Sequence, residues 1–222
     1  MAIAVGNTAN AESSGTTTVT SAAFSISGSD VALVCSICDQ SSGAGSVTGV
    51  TANGVSMTEV DTQSANGAGN LRLFGLLGAT SGDIVATRSA TGDRITICAV
   101  AYTGVSQSVP VSSWVKTKGS GSATTLTGTL VTPEANCWTT MGTYVSSGGD
   151  TTTAGSGTTK RVTGPEIEDH WDSNGAIASA GSTTLNVNNG STYSYGYIMV
   201  ALQPSVPSTG VTGRLMMMGM GR

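Results

Sequence analysis

The sequence predicts an all-β protein: an antiparallel, jelly-roll-like β-sandwich followed by an extended C-terminal arm. Three observations carry that expectation. The 222 residues include 34 Thr and 30 Ser beside 31 Gly, while charged residues reach only 10%, against about 25% in an average domain. Thr and Val favour the pleated, half-buried surface of a strand. Short apolar runs alternate with Gly, Asn, Asp and Ser turn signals along most of the chain, the pattern of a sandwich or jelly roll. No helical period runs through the sequence, and no strand–helix alternation suggests a parallel α/β fold.

Taken in order, residues 1–15 form an N-terminal segment and residues 16–203 the sandwich. The expected strands are 16–26, 30–39, 47–51, 55–60, 70–77, 83–89, 94–102, 111–116, 124–131, 136–145, 160–162, 183–187 and 194–203. Asn53-Gly54, between Val50 and Val55, predicts a two-residue hairpin because both positions accept positive φ. Asn66-Gly67, Asn174-Gly175 and Asn189-Gly190 mark further turns. The stretch 146–159 has Ala154 as its only apolar residue and predicts a long loop. After Leu202 a Pro/Gly/Ser linker leads into Leu215, Met216, Met217, Met218 and Met220, bracketed by Arg214 and Arg222. Residues 204–222 therefore read as a linker and Met-rich arm, and those five apolar side chains as its partner-binding residues.

Composition excludes several function classes. The net charge is −4 and the nine Lys and Arg are scattered, so no basic patch awaits nucleic-acid phosphates. No apolar run reaches the roughly 18 residues of a membrane span. The first residues lack the basic flank and apolar stretch of a secretory signal. Cys35 and Cys38 have CxxC spacing, but on a strand, residues three apart point to opposite faces, which argues against a shared metal or a mutual disulfide. Cys98 and Cys137 also lie in strand-like runs. All four are expected to be small, buried, reduced thiols, as suits assembly in a reducing cytosol.

Four segments carry a resemblance. Val47, Val50, Gly54 and Thr58 fit a V-x-x-V-x-x-x-G-x-x-x-T hairpin, and Leu71–Gly82 resembles the outer strand and turn that follow it. Ala99–Pro110 is similar to an A-x-x-Y-x-G-V-x-Q-x-x-P segment, and Ile198–Pro204 to a closing strand. Together they resemble jelly-roll sandwich domains of tailed-phage virion proteins and bacterial extracellular proteins, over roughly residues 16–204. The resemblance implies a fold and a structural role, with no catalytic signature to carry over.

Few residues invite chemistry. His170 is the single histidine, so a Ser-His-Asp site would need it, with Asp169 or Asp172. No nucleophile motif accompanies it, and it reads as a polar loop or strand-edge residue. The acidic run from Glu166 to Asp172 offers oxygen ligands for Ca²⁺ or a carboxylate pair for glycoside hydrolysis. It lacks the ligand spacing of a calcium loop, and a solvated acidic strand edge is the favoured reading. Tyr193, Tyr195 and Tyr197 alternate and share one strand face, opposite Ile198, Val200 and Leu202. With Trp171 they could stack sugars or meet a partner; they equally suit sheet packing.

The leading expectation is a phage virion structural protein, most simply a capsid decoration or cement protein. It would assemble in the host cytoplasm, bind major capsid or other virion proteins, form homo-oligomers, and need no catalytic residue, cofactor or metal. The alternative is a carbohydrate-binding module or a tail or fibre adhesin. A glycan hydrolase ranks third, since a fold alone does not assign an activity.

Overall fold

The structure is a computed structural model and describes residues 1–40, 46–65, 69–146, 152–164 and 168–206. The turn expected at Asn66-Gly67, Glu166 of the acidic run, and Leu215, Met216, Met217, Met218 and Met220 lie outside the described residues.

The first half of the chain supplies nine strands: β1 (Ala4–Ser14), β2 (Thr18–Thr20), β3 (Ala32–Asp39), β4 (Val47–Ala52), β5 (Val55–Ser56), β6 (Thr58–Ser64), β7 (Asn70–Leu77), β8 (Ile84–Arg88) and β9 (Arg94–Thr103). Their pairing is nested: β1 with β9, β2 with β8, β3 with β7, and β4 with β5, all antiparallel. The β3–β9 and β4–β8 ladders join these pairs into two sheets, of order β1-β9-β3-β7-β6 and β2-β8-β4-β5. A ribbon of nested antiparallel pairs wrapped into two facing sheets is a jelly roll, here with β6 added beside β7.

The second half builds a third sheet from β10 (Lys116–Thr132), β11 (Trp138–Val145), β13 (Thr159–Thr163), β14 (Glu168–Asp172) and β15 (Gly181–Leu202), with short β12 (Thr153–Ala154) against β15. Its order is β10-β15-β11-β14-β13. The molecule is therefore three sheets deep, one more than a simple sandwich.

Sequence explains which sheet is central. Every residue of β3 and eight of the ten in β9 are buried, as expected of continuous apolar runs covered on both faces. Leu33, Cys35, Ile37, Ile95 and Ile97 pack toward β2, β4 and β8 with Val19, Val50 and Ile84. Val34, Cys38, Cys98, Val100 and Tyr102 pack toward the third sheet with Trp138, Ile198, Val200 and Leu202. Cys35 and Cys38 thus fall into different cores, as strand periodicity requires. All four cysteines are buried and free.

Several expectations need correction. The N-terminal segment expected to precede the sandwich is its edge strand β1, paired with β9 from Ala4 to Ser14. Of the strand expected at 111–116, only Lys116 lies in a strand, as the first residue of β10. Pro110 holds φ at −63° and starts a single 3₁₀ turn over Val111–Ser113, after which β10 begins. Asn189-Gly190 does not separate two strands. It forms a bulge inside β15, where the register passes from Thr125↔Asn188 to Ala123↔Tyr193. At this bulge the β10–β15 ribbon turns onto the outer face of the third sheet. Leu126, Leu130, Leu185 and Val187 of the ribbon cover Met141, Trp171, Met199 and Ala201 there. By contrast, the Asn53-Gly54 hairpin forms as expected, with φ of 46° and 75° and Ala52 paired to Val55.

Candidate functional site

The residue types capable of chemistry converge between the central and third sheets. Strand β14 lies between β11 and β13, so its side chains alternate between two buried faces. Glu168, His170 and Asp172 point toward the central sheet, while Trp171 faces the outer core. His170 and Asp172 are both 0% exposed. The expectation of a strand-edge histidine and a solvated acidic run is corrected here, because β14 is an interior strand.

His170 sits between two hydroxyls. Its Nδ1 is 3.2 Å from Ser36 Oγ and its Nε2 is 2.6 Å from Thr140 Oγ1. Thr140 Oγ1 also lies 3.1 Å from the Trp171 carbonyl and 2.8 Å from the Tyr102 hydroxyl. A hydroxyl offers one donor and two acceptor positions. In a neutral imidazole one ring nitrogen donates and the other accepts, and each here has a hydroxyl within reach that can take either role. Burial favours that neutral form, pushing the pKa down to about 3.

The chain of contacts continues from Tyr102 to Asp172 Oδ2 at 3.3 Å, and from that oxygen to Arg161 Nε at 2.6 Å. Asp172 Oδ1 accepts the Asn174 backbone N–H, and Arg161 also reaches Asn174 Oδ1. Arg161, about one-fifth exposed, carries the network toward the surface. Burial raises the Tyr102 pKa, with the Asp172 charge adding to it. Glu168 accepts the Thr96 hydroxyl at 2.5 Å, and its second oxygen meets no partner among the described residues. Burial holds its carboxyl well above the ordinary range, against the opposing pull of the Thr96 hydrogen bond.

This arrangement differs from a hydrolytic triad in two respects. Among the described residues no carboxylate touches the imidazole, whose two nitrogens face hydroxyls. Ser36, Thr140, His170 and Asp172 are all fully buried. Nor do the described residues of the acidic run, Glu168 to Asp172, gather a calcium site. Glu168 and Asp172 face the central sheet while Asp169 pairs with Lys160 at 3.2 Å and with the Thr152 hydroxyl. Among the described residues no three potential ligands assemble.

Trp171, expected as a sugar-stacking or interface residue, has no exposed surface. Its Nε1 donates to Thr143 Oγ1 at 2.9 Å, and Lys160 Nζ lies 4.9 Å from its ring centroid. Tyr193, Tyr195 and Tyr197 are half-buried. Tyr195 and Tyr197 stand directly across from Gly121 and Gly119 of β10. A Cβ on Gly119 would fall 2.8 Å from the Tyr197 ring. The rings thus occupy space that the glycines leave open, a known device for stabilising sheets.

Ser36, Thr96, Tyr102, Thr140 and Arg161 were not singled out from sequence. The available signal is a polar residue inside an otherwise apolar strand, as with Ser36 between Cys35 and Ile37. No protein-family model matches the chain, and neither a curated protein nor a solved structure matches it.

Proposed function

We propose that this chain is a non-enzymatic structural protein of a virion, of the kind that decorates a capsid lattice. Residues 204–222 would hold it to major capsid or other virion proteins, in a homo-oligomeric array. One observation carries the non-catalytic part of the reading: the constellation of Ser36, His170, Tyr102 and Asp172 is sealed between two sheets and spent on hydrogen bonds. Support for the rest comes from the jelly-roll pairing and from a surface dominated by uncharged Ser, Thr and Asn. Exposed pairs such as Thr127–Asn186 and Thr129–Thr184 satisfy one another across β10 and β15. A repeated lattice needs only weak attachment per copy, because avidity multiplies it. The carbohydrate-binding reading loses Trp171 and rests only on tyrosines packed against glycine.

The test is incorporation. Mass spectrometry of purified particles from a culture that makes this chain should find it in fixed ratio to the major capsid protein. Deleting residues 207–222 should remove it from particles while leaving its thermal transition within a few degrees. A chain absent from particles, or ester or glycan hydrolysis abolished by His170→Gln, would overturn the reading.

A further inference from the structure

We propose that the outer edge of β10, at Thr125–Val131, pairs antiparallel with its counterpart in a second copy of this chain across a two-fold axis. Strand edges offer unpaired N–H and C=O groups and recruit other chains unless something guards them. Among the described residues, five of the six outermost strands in the three sheet orders carry such a guard. Strands β2 and β5 have only three and two residues. Strand β1 is bulged between Val5 and Asn7 and carries Glu12, paired with Arg94. Strand β13 has five residues, Lys160 and Arg161 among them, and a bulge between Lys160 and Val162. Strand β6 is bulged between Glu59 and Asp61, and lysines from the start of β10 cap it. Lys116 donates to the Val60 carbonyl, and Lys118 to the Thr62 carbonyl at 2.9 Å.

The sixth edge is different. Strand β10 runs for 17 residues, and after Lys118 it holds neither a charge nor a proline. Its one irregularity is the bulge between Ala123 and Thr125, so Thr125–Thr132 forms an unbroken ladder with β15. Among the described residues no strand pairs with its other side. Thr125, Thr127, Thr129 and Val131 share the exposed face, and Leu126, Gly128 and Leu130 the buried one. Val131 is 62% exposed, exceeded only by Val206 among the described large hydrophobic residues.

Charge and symmetry identify the occupant. Nothing along Thr125–Val131 would pair with a charge, so the incoming strand must itself be uncharged. A strand that is already extended also avoids the cost of ordering on binding. Strand β10 of a second copy meets both conditions. A two-fold contact sets residue i against j and j against i. Centred on Gly128, the middle of the unguarded stretch, it continues the exposed face as exposed and the buried face as buried. Thr127 then meets Thr129, Leu126 meets Leu130, and Thr125 meets Val131. Pairing over this stretch forms about seven backbone hydrogen bonds, within the roughly 5–15 of an ordinary interface. Leu126 and Leu130 would extend the outer core they already line. The inference rests on the homo-oligomeric part of the proposed function, whose contact it names, and not on the capsid.

Sedimentation of the purified full chain tests it, from micromolar to near-millimolar concentration. Wild type should dimerise reversibly. The double variant Thr127→Lys, Thr129→Lys sets like charges against each other twice across the axis and should weaken the dimer roughly tenfold. The variant Thr127→Lys, Thr129→Glu sets opposite charges there and should restore association to within about threefold of wild type. Both positions are exposed, so each variant should keep a cooperative melt. Hydrogen exchange of wild type gives a second readout that needs no substitution: amides of Thr125–Val131 should gain protection as concentration rises. A chain monomeric at every concentration, a dimer indifferent to the two lysines, or protection confined to other strands would each overturn the pairing. Thr125–Val131 amides protected in a monomer would assign the edge to another segment of the same chain and overturn it equally. None of these outcomes decides incorporation into particles, which is read separately.

Discussion

Replacing His170 with glutamine should destabilise the protein at neutral pH and stabilise it in acid. At pH 7.5 both side chains are neutral, and the variant loses well-placed hydrogen bonds to Ser36 and Thr140. Imperfect satisfaction of buried polar groups costs about 1–3 kcal/mol. In the unfolded chain histidine titrates near 6.5, whereas burial depresses the native value to about 3. Between those values the unfolded wild type binds more protons than the native protein, so wild-type stability falls as pH falls. The slope is about 1.4 kcal/mol per unit, or roughly 4–5 kcal/mol over the window. Glutamine has no such titration. Glu168 acts in the opposite sense: its raised pKa contributes stability in acid that is lost as pH rises through the native value. That contribution is present in both proteins and cancels in their difference. The two urea-unfolding free energies should therefore cross near pH 5 and diverge below it, at about 1.4 kcal/mol per unit. A gap that stays constant from pH 7.5 to 3.5, or an imidazole that titrates near 6.5 in the native chain by NMR, would refute the buried neutral histidine.

Arg88 pairs with Asp39 at 3.1 Å with both side chains nearly sealed, so Arg88→Met alone should cost about 3–5 kcal/mol in urea melts. Adding Asp39→Leu should recover most of that loss. The four thiols should resist an aromatic disulfide reagent in the native protein and react, four per chain, on unfolding, because burial removes access and raises the pKa of Cys35, Cys38 and Cys98. Gly142→Ala should lower stability by about 1–3 kcal/mol, since its Cβ would fall 2.6 Å from Ser36 Cβ across the sheet interface. Gly49→Ala meets nothing within 4 Å and should stay within about 0.5 kcal/mol of wild type in the same melt.

The strands most legible in sequence are those the fold buries most completely. Residues 30–39 and 94–102 read as strands because both of their faces are apolar, and they became β3 and β9 at the centre of the molecule. Strand β1 escaped notice because an edge strand exposes one side, and its Asn, Ser and Thr resemble a loop. The first half of β10 escaped for a related reason: Lys116–Ala123 has almost no apolar side chain, and the Tyr195 and Tyr197 rings that cover its glycines come from β15. Turn signals were informative where local geometry decides the outcome. Asn53-Gly54 made its hairpin, but Asn189-Gly190 was absorbed as a bulge because the flanking residues pair with one continuous partner, β10. Burial of β14 was the least legible feature, since its carboxylates, histidine and tryptophan read as surface chemistry until three sheets enclose them.

That concealment follows from how the molecule is joined. The jelly roll closes on itself through β1–β9 and the pairs nested inside it, so its outward-facing sheet would be left apolar and bare. The third sheet covers that face, and among the described residues a backbone bridge joins it to the central sheet at one end, where Ser106 N–H donates to the Gln203 carbonyl and Ser205 N–H to the Gly104 carbonyl, both at 2.8 Å. Apolar contact alone is non-directional and would tolerate sliding of one sheet over the other. The Ser36–His170–Thr140–Tyr102 relay supplies direction: it crosses from Ser36 on the central sheet to His170 and Thr140 on the third and returns to Tyr102, and its contacts are satisfied in one alignment. Any slip strands a neutral imidazole and several hydroxyls without partners, at about 1–3 kcal/mol each. The relay need not add net stability over an apolar isostere to do this, because registry is a difference between alignments. The same property explains why these residue types resemble a catalytic constellation: strict geometry at buried polar atoms also serves alignment.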